Sequence, residues 1–315
     1  MTAPTVSTAG IRPLPQGRVG GLAFALGSAA SFGLSGSLAR SLLDLGWSPA
    51  AVVAFRILGA FALLAIPCSL ALRRSRLPTG PQLVRMVGYG VVAVAFAQLC
   101  YFSAVQRLSV GVALLLEYSA PVLLIFYTWI RSRQRPAAPV FLGAGLALLG
   151  LVFVLDLRSG VTLDPVGVLW GLGAAVCLCA YFVLGESDGA GATVSPLLLT
   201  TVGTGVGGAV IAVLGAVGVL PLVAHGGSTA LAGVSVSWAV PALLLVTVSA
   251  VLAYLTGIVA VRRLGSSVAS FVSLTEVIFA VIFAIILLGQ QPSVSQLVGG
   301  ALVLAGIAVV QRRAA

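Results

Sequence analysis

The chain has no lysine, one histidine and seven acidic residues among 315, and charged residues make up only 8% of it. A soluble domain carries about a quarter charged residues, so this scarcity excludes an ordinary globular protein, a disordered chain and a nucleic-acid binder. Without lysine no phosphate-cradling Gly-x-x-x-x-Gly-Lys loop can be written, which removes self-contained ATP-driven chemistry. The lone histidine, His225, sits between apolar runs and leaves a histidine metal site or a Ser-His-Asp triad without its other parts. Four cysteines, Cys68, Cys100, Cys177 and Cys179, lie in or beside apolar runs. Cys177 and Cys179 are two apart and point in different directions on a helix, so no disulfide, zinc site or redox pair is expected. No cofactor and no metal are expected.

What is abundant is apolar surface. The chain is 60% hydrophobic with a mean hydropathy of +1.17. A bilayer core needs roughly 20 apolar residues per helix, and only helices or closed barrels satisfy the backbone there. Long unbroken runs rather than alternating ones exclude a barrel. The runs fall at 20–38, 50–71, 84–103, 110–130, 138–155, 166–184, 196–219, 237–259, 266–288 and 294–311. The expectation is an all-α membrane protein of ten transmembrane helices, preceded by a flexible tail over 1–18 rich in Pro, Thr and Ala. A cleaved signal peptide is disfavoured, because the first run is long and no small-residue cleavage site follows it.

All 17 basic residues are arginine, and their placement orients the chain. With a cytoplasmic amino terminus, thirteen fall on inner segments (Arg12, Arg18, Arg73, Arg74, Arg76, Arg85, Arg131, Arg133, Arg135, Arg262, Arg263, Arg312, Arg313). Three, Arg40, Arg107 and Arg158, fall on outer loops, and Arg56 lies within a span. That asymmetry places both termini in the cytoplasm. Trp47, Trp129, Trp170 and Trp238 sit at helix ends, where an interfacial aromatic belt would have them.

Sliding the chain by 156 residues aligns 104–152 with 260–308 at 13 identities in 49 positions. Arg107-Leu108 recurs as Arg263-Leu264, Pro136 as Pro292, Gly143 as Gly299 and Gly150 as Gly306. A weaker match at offset 146 puts Gly21, Leu26, Gly27 and Ala29 on Gly167, Leu172, Gly173 and Ala175, with the stretch from Pro221 to Ser237 holding the extra residues. Five helices per half is an odd number, so the two halves, 19–155 and 166–311, must be inverted in the membrane, as in alternating-access carriers.

At these residues the chain resembles a known family. Ala104-Val-Gln-Arg-Leu108, Ala113-Leu-Leu-Leu-Glu-Tyr-Ser-Ala-Pro121 and Gly143-Ala-Gly-Leu-Ala-Leu-Leu-Gly150 look like the fourth and fifth helices of EamA-type members of the drug/metabolite transporter superfamily. Ser273-Leu-Thr-Glu-Val277, Leu288-Gly289 and Gly299-Gly300 look like the ninth and tenth. The resemblance runs from Gly20 to Val310 and departs at Gln290, where such proteins usually carry Glu. It implies export of amino acids, related metabolites or drugs, and helices five and ten lying outside the core.

Glu117 and Glu276 are the two acids placed eight and eleven residues into their runs, near mid-bilayer. An ionisable group there costs roughly 2.5–3.5 kcal/mol on insertion scales, so both are expected to face a cavity or a partner rather than lipid. At offset 156 they miss strict symmetry by three residues, about one helical turn. They are the expected proton-coupling groups and, with Tyr118, Arg56, Gln98, Tyr101, Tyr181 and Tyr254, the candidate substrate contacts. Each aromatic read alone is more often packing than contact. Arg56 either binds a substrate carboxylate, pairs with Glu117 or snorkels along its stem. Pro121, one turn beyond Glu117, frees that residue's carbonyl and is the candidate hinge. Arg107 and Arg263 read as gates or as lipid-phosphate anchors, while Gly203-x-x-x-Gly207 and Gly143 with Ala147 predict close helix crossings.

These expectations converge on a gradient-driven exporter of a small organic metabolite, multi-pass in a bacterial inner membrane. Facilitated diffusion or import is the alternative, with a polytopic lipid enzyme or a scaffold further off. A small-molecule substrate and membrane lipids are the expected partners, a homodimer is admitted, and no nucleic acid is expected.

Overall fold

The computed structural model describes residues 16–72, 80–133, 138–154, 164–185, 195–264, 269 and 272–314. Most of the expected tail, Arg12, Arg73, Arg74, Arg76, Arg135, Arg158, Asp156, Glu186, Asp188 and Pro136 lie outside the described residues.

The described chain is mostly helical. In order come α1 (Gln16–Asp44), α2 (Pro49–Leu72), α3 (Gly80–Arg107), α4 in two pieces (Val110–Glu117 and Ala120–Ser132), α5 (Ala138–Val154), α6 (Pro165–Gly185) and α7 (Pro196–Ala216). A hairpin of β1 (Ser228–Leu231) and β2 (Val234–Ser237) follows, then α8 (Ala239–Leu264), α9 (Thr275–Leu288) and α10 (Val294–Ala314). Helices α1, α2, α3, α7 and α8 are each long and apolar enough to cross a membrane. The sequence sets the helix starts. Ser109 and Ser195 accept the Val112 and Leu198 N–H groups at 3.4 and 3.2 Å, and Pro196 fills the first position of α7, as N-caps and N1 prolines do.

Several boundaries differ from the sequence reading. The first run, expected to end at 38, continues to Asp44 because Arg40 pairs with Asp44 one turn on, 2.8 Å away, and donates to the carbonyls of Val105, Gln106 and Leu108. The fourth run is interrupted at Tyr118 and Ser119. Pro121 falls in the first turn of the second piece, where a missing N–H does no harm, so the break sits just upstream of the expected hinge. The purely α expectation also needs amending. The roomy stretch before α8 folds into the hairpin, with Leu231 paired to Val234 around a turn that puts Ala232 and Gly233 at positive φ. The Ala232 N–H then bonds Leu287 O at 2.8 Å, tying the hairpin to the end of α9. Trp47 is only 4% exposed and packs on Phe55 and Trp238, because the 221–226 segment folds over it and takes its indole N–H at His225 O.

The packing repeats itself. Helix α1 lies on α8 and α9, as α6 lies on α3 and α4; α2 meets α8, as α7 meets α3. Helices α2 and α7, and α5 and α10, pack on their own counterparts. Two π-helical stretches, Tyr89–Phe96 in α3 and Thr247–Leu252 in α8, nearly coincide under the same 156-residue shift. The α5–α10 crossing shows the exchange most plainly. A Cβ on Gly150 would lie 2.6 Å from Gly299 O, one on Gly299 would lie 2.6 Å from Gly150 O, and Gly306 faces the Gly143 backbone. Gly203 and Gly207 likewise take α7 onto Tyr89, Gly90 and Ala95 of α3, the close crossing that the small-residue spacing predicts.

Gly299→Val should therefore destabilise by about 1–3 kcal/mol through overpacking. Gly145→Ala, at a site with open space around it, should leave thermal unfolding in detergent unchanged or slightly raised. Equal melting curves for Gly299→Val and the wild type would contradict the crossing.

Candidate functional site

The site is assembled around Arg56 of α2, which is 4% exposed. Its Nη1 donates to Gln98 Oε1 of α3 at 2.6 Å and its Nη2 to the Ser249 carbonyl of α8 at 2.8 Å, while its guanidinium lies 5.7 Å from the centre of the Phe102 ring. The Nε is buried with no partner. Snorkelling is thereby ruled out, and so is a direct pair with Glu117, since the ion pairs among the described residues are Arg40–Asp44 and Arg107–Asp164.

A helical carbonyl normally accepts from the N–H four residues on. Here the π-helical turn changes that: the Ala253 N–H bonds Val248 O and Ala250 O and skips Ser249 O. The carbonyl released in this way is the one that holds Arg56. The twin turn in α3 does the same, since the Ala97 N–H bonds Val92 O and Val94 O and skips Ala93 O. Ala93 is the 156-residue counterpart of Ser249, as Gln98 is of Tyr254.

The two acids approach this centre from α4 and α9. Glu276 Oε2 accepts from the Tyr118 hydroxyl at 3.0 Å. Glu117 is the last residue of the first piece of α4, and both carboxylates lie within electrostatic reach of Arg56 and Tyr101. Close approach of α1 makes this compact. A Cβ on Gly33 would lie 2.9 Å from Glu276 O, and one on Gly36 would collide with the Tyr101 hydroxyl. Tyr254 lies beside Gln98 and meets Phe32 edge-on at 5.0 Å. Thus Glu117, Glu276, Tyr118, Arg56, Gln98, Tyr101 and Tyr254 come together. Tyr181 is 38% exposed, with its ring 5.5 Å from Tyr89.

Sequence reading missed Tyr89, Phe102 and the Ser249 carbonyl. Tyr89 and Phe102 carried no charge to single them out, and a free carbonyl has no sequence signal. Gln290, the one departure from the resembled pattern, accepts the Val110 N–H through Oε1 at 3.1 Å and so caps α4. An amide serves that bond as a carboxylate would. Arg107 pairs with Asp164 at 2.7 Å, whereas Arg263 covers Phe24 at 4.9 Å.

An apolar helical bundle enclosing charged and phenolic groups defines a multi-pass membrane protein with an internal polar site. The chain belongs to the EamA-like transporter family, whose model matches it twice, over residues 19–156 and 165–312. It is therefore a membrane transporter of the drug/metabolite superfamily. A solved crystal structure described only as that of a protein is similar over 90% of this chain and 98% of its own, with a TM-score of 0.55 and 20% identity, and supports the fold alone. No curated protein matches the chain.

Two outcomes follow. Arg56→Leu strands the Gln98 and Ser249 acceptors and should cost about 1–3 kcal/mol for each one left unpaired, read as a lowered melting temperature; an unchanged one would deny Arg56 its anchoring role. The Arg107 guanidinium, and then the Val166 and Gly167 N–H groups, hold the Asp164 carboxyl below its ordinary value. A depressed carboxylate stabilises above its unfolded value of about 3.9 and loses that contribution as pH falls through the lower folded value. The melting difference between wild type and Asp164→Ala should accordingly be present at pH 7, shrink in salt and vanish in strong acid. A difference that is constant with pH would contradict the pairing.

Proposed function

We propose that the protein is a secondary transporter of a bacterial inner membrane. It exports a small organic metabolite, an amino acid, a related metabolite or a drug, by alternating access. In this reading ten helices span the bilayer as two inverted five-helix halves, 19–155 and 166–311, with both termini in the cytoplasm. The exchange-related packing and the paired π-helical turns support two equivalent halves, and the odd helix count supports their inversion.

One observation carries the reading: polar contacts at the centre join one half to the other. Arg56 reaches Ser249, Gln98 meets Tyr254, and Tyr118 bonds Glu276. Halves that rock about a central site must make and break contacts there, and contacts of this kind let a solute bias which side is open. A substrate ammonium is read as binding Glu117 or Glu276, displacing the Tyr118 hydroxyl from the latter. A substrate carboxylate would meet Arg56 through the unpartnered Nε, because both Nη atoms are engaged. Pro121 and the break before it give α4 its hinge, and proton entry on Glu117 or Glu276 drives substrate exit.

In liposomes with an imposed pH gradient, Glu117→Gln and Glu276→Gln should each lower gradient-driven uptake at least tenfold while counterflow persists. Full gradient dependence in both variants would remove the carboxylates from coupling and leave facilitated diffusion. A thermal-shift screen of amino acids and cationic drugs should find ligands that raise the melting temperature by mass action, an effect kept in variants that retain counterflow.

A further inference from the structure

Outside the Arg56 network lies a second cluster of reactive side chains. Cys100 of α3 and Cys177 of α6 are both free thiols, the first buried and the second half-buried. Cys100 Sγ lies 3.3 Å from where a Cβ on Gly173 would stand. Gly173 is one turn before Cys177, on the same helical face. The absent side chain at Gly173 lets α3 approach, so that Cys100 Sγ reaches the face of α6 that carries Cys177 one turn on. Cys179, two residues further, points elsewhere, and Cys68 packs with Met86 and Leu198.

The geometry points to a two-coordinate site for mercuric ion, made by Cys100 and Cys177 together. Two arguments select that ion. Zinc takes four ligands in its structural sites, and no group of three or more His, Cys, Asp or Glu able to hold a metal occurs among the described residues; a soft ion content with two sulfurs remains. In an apolar interior an uncompensated charge is costly. A divalent ion with two thiolates is neutral, whereas a monovalent soft ion there would leave a net negative charge near Glu117, which lies in electrostatic reach of both cysteines. The step is an exchange without redox. Two S–H bonds break, two Hg–S bonds form, two protons leave to solvent, and no oxidation state changes. Because α3 and α6 belong to different family-matched segments, the bridge also clamps one to the other.

The test uses full-length protein with Cys68→Ser and Cys179→Ser in detergent, titrated with mercuric chloride. The expected result is an Hg–S absorbance end point at one ion per chain, loss of two titratable thiols per ion, and a raised melting temperature. Adding Cys100→Ser or Cys177→Ser should leave one thiol lost per ion, no thermal shift, and stripping of the ion by at least tenfold less competing monothiol. Two ions per chain, one thiol lost per ion in the starting protein, or equal affinity for zinc would overturn the site. If a single-cysteine variant fails to fold, the stoichiometry of the starting protein still decides. None of these readouts depends on transport.

Discussion

A guanidinium inside a helical bundle needs acceptors, and helices have few to offer, because nearly every carbonyl already receives an N–H from its own backbone. This protein meets the need by widening one turn. The π-helical stretch at Thr247–Leu252 shifts the ladder so that Ser249 O is passed over by its usual donor and turns to Arg56. Once Arg56 is fixed, its second Nη fixes Gln98, Gln98 meets Tyr254, and the positive charge faces Glu117 and Glu276. The rest of the centre is arranged around that anchored charge.

The same widening occurs at the matching place in α3, where Ala93 O is passed over. No arginine is recruited there, since the α7 stretch that packs on that turn carries Gly203, Val206 and Gly207 instead. The two halves thus share a backbone device but differ in what they do with it. Glycine keeps the α3–α7 contact close, while arginine makes the α2–α8 contact polar. A scaffold built twice needs only a few such substitutions to become asymmetric at its centre, where a site for an asymmetric solute must be asymmetric too.

The end of the bundle formed by the 45–48, 108–109 and 217–238 connections is tied by a different set of bonds. Ser48 Oγ reaches Pro221 O, the Ser48 N–H reaches Val223 O, Thr229 Oγ1 bonds Ser41 O, and Gln290 caps α4. These bonds gather the adjoining ends of α1, α2, α4 and α9 under one cover. Arg40 and the Arg107–Asp164 pair add charge-assisted ties on the same side. Described residues at the opposite end carry fewer such ties, Arg85 to Leu184 O among them.

Much of this was readable in one dimension. Hydropathy placed the apolar helices, since length and composition alone decide whether a segment can span a bilayer. The offset of 156 exposed the repeat, and the quoted motifs identified the family. Glu117, Glu276 and Arg56 stood out because charge inside an apolar run is rare. The sequence could not say which of Arg56's neighbours would hold it, because the decisive partner is a backbone carbonyl whose freedom depends on a turn widening by one residue. Nor could it pair Cys100 with Cys177, 77 positions apart, or bury Trp47 under a segment that begins more than 170 residues later. Local composition fixes which segments leave water, since that preference is summed residue by residue. Which atoms then meet is decided only when helices distant in the chain pack, because hydrogen bonds and van der Waals contact act over a few ångströms and have no memory of sequence separation.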